Sequence, residues 1–136
     1  MKSSRFYLIF SAAVLLPISM SYGVNLNRML PQLFQMHSAE GETVHVLRAI
    51  MGLYLSSIIL WLLGAIRGGQ MMRAALISEI VFMSGLTAGR LLDLLLDGWP
   101  RPMLIVYTVA ELALAGWGLF CLKRFDAMQR LTTVSP

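Results

Sequence analysis

Residues 44–66 read VHVLRAIMGLYLSSIILWLLGAI. From Ala49 to Ile66 the stretch carries no charged side chain. At about 1.5 Å of rise per residue, a helix of this length crosses a hydrocarbon core of roughly 30 Å. Lipid offers no partner to backbone N–H and C=O groups, so a run that crosses it must pair them internally, as a helix does. Thr43 is placed to cap its start, and Trp61, near its far end, suits the interfacial aromatic belt.

Working outward, three more runs of this kind follow from the same reasoning: residues 6–22, 74–96 and 103–122. Four spans use up most of 136 residues, of which 57% are apolar and 13% charged. The chain therefore reads as one domain, residues 1–136, an all-α integral membrane four-helix bundle. Lys2 and Arg5 precede the first run, and Ser19 and Ser21 supply a passable signal-peptidase site, so residues 1–21 are open to cleavage. The run is long enough to span, which favours a retained anchor, with Pro17 bending its outer end.

The longest break, residues 23–43, holds Leu26, Met29, Leu30, Leu33, Phe34 and Met36 at a spacing that predicts a short amphipathic helix on the membrane surface. Residues 67–73 form a tight loop containing Gly68 and Gly69. Asp97, Gly98, Trp99 and Pro100 stop the third helix, and residues 123–136 are expected to be a frayed polar tail.

Basic residues outside the spans set the orientation. Lys2, Arg5, Arg67, Arg73, Lys123, Arg124 and Arg130 fall on one face, against Arg28 and Arg101 on the other. The first face is expected to be cytoplasmic, with both termini there. The same rule accounts for the net charge of +4, so no nucleic-acid partner is inferred. Cys121 is the only cysteine, which excludes an intrachain disulfide and a cysteine metal cage and leaves it a packing role.

An ionised side chain at the centre of a membrane helix costs about 2.5–3.5 kcal/mol on insertion scales, so each needs a partner or water. Arg48 lies about one turn inside the second helix, Arg90 about 9 Å from the outer end of the third, and Glu111 about 12 Å from the outer end of the fourth. On the third helix Glu79, Met83, Leu86, Arg90, Asp93 and Asp97 share a stripe expected to face the bundle, and Arg90 is spaced to pair with Asp93. Glu79, about 16 Å from Arg90 along the axis, must find another partner. Gly85 and Gly89 make a GxxxG step beside that stripe, which predicts tight packing there.

Arg48, Arg90, Asp93 and Glu111 are therefore expected to form an outer-half charged cluster, with His45, Tyr107 and Asp97 near its mouth. The alternative is that these charges pair only to hold three helices in register. His37, Glu40, Glu42 and His45 are ligand types, but Gly41 interrupts their spacing and they match no metal motif. The ten methionines are scattered, as packing requires and copper ligation does not. No cofactor is inferred, since phosphate, dinucleotide and hydrolase fingerprints are all missing from the sequence.

Arg48-Ala49-Ile50-Met51-Gly52-Leu53-Tyr54, Gly89-Arg90-Leu91-Leu92, Asp97-Gly98-Trp99-Pro100 and Glu111 together resemble a bacterial family of small four-helix membrane proteins known as a domain of unknown function. The likeness spans roughly residues 44–120. A more distant likeness, in topology, is to the DoxX-like membrane proteins. The resemblance implies a multi-pass protein of the bacterial inner membrane and singles out the same charged positions, without a substrate. The leading expectation is a non-enzymatic bundle whose cluster binds a small ligand or lipid, or docks a partner subunit or a second copy. The alternatives are an enzyme or redox accessory acting on a quinone or lipid, with Glu111 and Asp93 handling protons, and a small oligomeric transporter. The arginines would hold those acids ionised, which disfavours proton chemistry there.

Overall fold

The computed structural model describes residues 2–24, 41–98 and 102–134. They form four helices: α1, Lys2–Ser21; α2, Gly41–Arg67; α3, Gly69–Asp97; and α4, Pro102–Val134. All four are long and apolar enough to cross a membrane. Residues 25–40 and 99–101, which include the expected surface helix, Trp99 and Pro100, lie outside the described residues.

The helices run up, down, up and down. α1 packs along α2, α2 along α3 and α3 along α4, and lighter contacts of α1 with α3 and α4 close the bundle. The reversal between α2 and α3 is a single residue, Gly68, whose φ of 72° is a conformation that only glycine adopts without strain. Its N–H donates to the Gly64 carbonyl at 3.0 Å and its carbonyl accepts from Met72 N–H at 3.1 Å. A Cβ on Gly64 would overlap the Ala75 methyl, so glycine there lets the two helices touch.

The core is lined by Tyr7, Leu8, Leu15, Tyr54, Ile58, Trp61, Met72, Leu76, Met83, Cys121 and Phe125. The outside is apolar as well: Val46, Leu53, Ile59, Val81, Val106, Val109 and Leu112 are each more than half exposed. A surface of that kind is a liability in water and the normal state of a helix bundle in lipid. α1 contributes a face of buried serines, Ser4, Ser11, Ser19 and Ser21, with Tyr7, Leu8, Ala12 and Leu15. Small side chains at those positions let helices approach closely.

Four expectations change. Trp61 is fully buried, with its indole N–H directed at Ser78 Oγ at 3.4 Å, so it belongs to the core and not to an interfacial belt. The Gly85–Gly89 step is exposed and no atom lies within 4 Å of where a Cβ would sit. Close approach occurs at Gly64 and Gly118 instead. The loop expected at residues 67–73 shrinks to Gly68. The tail is not frayed through residue 134: α4 continues because Phe125 is buried against the core and Asp126 accepts from Arg73 Nε at 2.9 Å.

The two ends of the bundle differ in charge. At the basic end α1 and α3 begin and α2 gives out, near Lys2, Arg5, Arg67, Arg73, Lys123 and Arg124. At the opposite end α1 and α3 finish and α2 and α4 begin.

Candidate functional site

Toward the end of the bundle opposite the basic one, α3 places Arg90 and α4 places Glu111 within apolar stretches, and the two meet. Arg90 Nε donates to both oxygens of Glu111, at 3.0 Å to Oε1 and 2.9 Å to Oε2. The Glu111 side chain is 11% exposed and that of Arg90 27%. An arginine keeps its charge in such surroundings, and its fork of donors suits a carboxylate, so a partner of this type lets both ions stand apart from water.

Aromatic rings frame the pair. Tyr107 precedes Glu111 by one helical turn on α4, and the Arg90 guanidinium carbon lies 5.6 Å from its ring centroid. That is a cation–π contact, worth about 0.5–2 kcal/mol according to how far it is desolvated. Tyr54, buried on α2, lies close enough to Arg90 and Glu111 to feel both charges. Its ring is 5.5 Å from that of Tyr22 and 5.0 Å, edge-on, from that of Phe82. Among the described residues, the hydrogen bonds of the Arg90 guanidinium run through Nε alone. The Nη donors are thus not committed to Glu111.

The other expected members stand apart. Arg48 and His45 are exposed on the first turns of α2, because Leu47 and Tyr54, seven residues apart, define the buried face of that helix. Asp93 is exposed near the end of α3, where Leu95 and Leu96 are 80% and 73% exposed. Neither Arg48 nor Asp93 forms an ion pair among the described residues, and Arg90 turns to Glu111 rather than to Asp93. The stripe of α3 follows the bundle interior through Glu79, Met83, Leu86 and Arg90 and then leaves it. Asp97 closes α3, and its side chain lies outside the described residues. α2 is represented near the pair by Tyr54.

No group of three or more His, Cys, Asp or Glu side chains placed to hold a metal occurs among the described residues. Glu42 and His45 are exposed, and His37 and Glu40 lie outside the described set.

A second polar contact, nearer the basic end, joins three helices. The Tyr7 hydroxyl of α1 meets Oε2 of Glu79 on α3 and lies 2.8 Å from the Leu114 carbonyl oxygen of α4. Glu79 is fully buried. A Cβ on Gly118 would overlap the Tyr7 hydroxyl and crowd Ile80 and Glu79, so glycine at 118 admits this contact. The partner that Glu79 needed is a phenol, which no charge count could have indicated.

The model of one protein family, described as a domain of unknown function, DUF4345, matches residues 3–122, and the chain belongs to that family. The match takes in α1 from residue 3, α2, α3 and α4 as far as residue 122. No curated protein and no solved structure matches the chain.

Proposed function

Starting from a family without an assigned activity, we propose that this protein is a membrane bundle of the bacterial inner membrane, with both termini cytoplasmic, that binds an amphipathic ligand through Arg90. The observation that carries this reading is the uneven use of the guanidinium: Nε is anchored by Glu111, and among the described residues the other donors have no acceptor. A guanidinium held this way presents a planar pair of donors to a carboxylate, phosphate or carbonyl oxygen. Tyr107 and Tyr54 supply aromatic surface beside it, and the apolar exterior suits a ligand with a hydrocarbon tail arriving from the bilayer.

The competing reading is that the pair only fastens α3 to α4. Native mass spectrometry from a mild detergent separates the two. With Arg90 as the ligand's anchor, wild type carries a small-molecule adduct, Arg90→Gln loses it, and Glu111→Gln keeps or strengthens it, because an unneutralised arginine attracts an acceptor more strongly. A pure fastening role would leave all three with the same adducts and lower the melting temperature of both variants.

A further inference from the structure

Glu79 differs from Glu111 in having no cation paired with it among the described residues. Between Arg5 and Tyr22, α1 offers only Tyr7 as a titratable group, and between Tyr54 and Arg67, α2 offers none. α3 has none but Glu79 itself between Arg73 and Arg90, and α4 has only Cys121 between Glu111 and Lys123. Arg73 is exposed and engaged with Asp126, and Arg124 lies 5.5 Å from the Phe120 ring centroid. A carboxylate here would be a buried charge with no counter-ion, which is among the costliest arrangements a bundle can hold.

The hydrogen bonds around Tyr7 also require a proton on Glu79. The Tyr7 hydroxyl owns one proton and touches two oxygens, Glu79 Oε2 and the Leu114 carbonyl. The carbonyl can only accept. If Glu79 were ionised, both neighbours would be acceptors competing for a single hydrogen. If Glu79 is protonated, its carboxyl donates to Tyr7, Tyr7 donates to Leu114, and each close contact contains a hydrogen. Glu79 Oε1 then remains as a buried oxygen without a partner among the described residues, as does Ser11 Oγ one turn beyond Tyr7. An unpartnered oxygen costs less on a neutral acid than on an anion.

A cavity of about 240 Å³ at the basic end is lined by Lys2, Ser3, Ser4, Cys121, Arg124 and Met128. Ser4 precedes Tyr7 by one turn of α1, and Cys121 follows Gly118 by one turn of α4. The cavity wall is thus about one helical turn, along α1 and along α4, from the two residues that flank the carboxyl, Tyr7 and Gly118.

We propose that Glu79, Tyr7 and the Leu114 carbonyl form a proton-binding site inside the bundle, loaded from the basic end through this cavity. It is independent of Arg90 and of whatever binds there. Infrared spectroscopy of the protein in bilayers at neutral pH tests it, because the C=O stretch of a protonated carboxyl stands apart from carboxylate bands. The folded wild type should show one such band, shifted by D2O without unfolding, lost in Glu79→Gln and displaced in Tyr7→Phe. Absence of the band in wild type, or its survival in Glu79→Gln, overturns the protonated state. A band that moves in D2O only after denaturation overturns the route. Should Glu79→Gln fail to insert, Tyr7→Phe decides: a displaced band supports the site and an unmoved one overturns it.

Discussion

Glu79 on α3 and Glu111 on α4 are both buried acids, 0% and 9% exposed, yet they meet opposite partners. Glu111 faces an arginine that holds both of its oxygens; Glu79 faces a phenol that is itself tied to a backbone carbonyl. Burial alone does not decide how an acid is kept in lipid. The decisive factor is whether a cation lies at the same level on a neighbouring helix. Where Arg90 supplies one, an ion pair fastens α3 to α4. Where the described residues supply none, a hydrogen-bonded chain from Glu79 through Tyr7 to the Leu114 carbonyl ties α1, α3 and α4 together.

The contrast is most easily broken at Gly118. Gly118→Val should push the Tyr7 hydroxyl and Ile80 away from α4 and cost about 3 kcal/mol or more, seen as loss of the folded species in a thermal melt. Gly89→Val, on a glycine with no neighbour in reach, should melt close to wild type. Next in size, Glu111→Gln should destabilise by roughly 1–3 kcal/mol, since it strips the charge from a hydrogen-bonded pair and leaves Arg90 without its counter-ion. Glu79→Gln sharpens the comparison: its amide N–H can still donate to Tyr7, so the loss should be clearly smaller than for Glu111→Gln in the same assay. Smallest of all, Arg73→Ala should leave the melting temperature nearly unchanged, because the Arg73–Asp126 pair is exposed, and any difference should shrink further in high salt.

Much of this arrangement was legible in the residues themselves. Four long apolar runs require four spanning helices, and ionisable side chains inside them require partners, which is why Arg90 and Glu111 stood out together with Arg48 and Asp93. Arg48 looked equivalent by depth, but depth along a helix does not say which face a side chain takes. Arg48, the eighth residue of α2, points outward, while Leu47 and Tyr54 take the interior. Trp61 near a helix end satisfies an interfacial belt and a core equally well on paper; only the position of Ser78 across the hairpin decides for the core. The length of α4 was hidden for a similar reason, since Phe125 and Asp126 sit in a polar stretch and hold the helix through contacts with other elements. Tyr7 was the least legible residue, because a tyrosine early in an apolar segment has no feature that marks a distant carboxyl as its partner.

The central claim is that Arg90 and Glu111 meet as a pair within the membrane-spanning part of the bundle. A double-mutant cycle with Arg90→Gln, Glu111→Gln and the combined variant, read by reversible unfolding in mild detergent, tests it most directly. The structure requires a coupling energy of about 1 kcal/mol or more, with the double variant no less stable than the worse single one. Strictly additive losses would contradict it and show that the two side chains act alone.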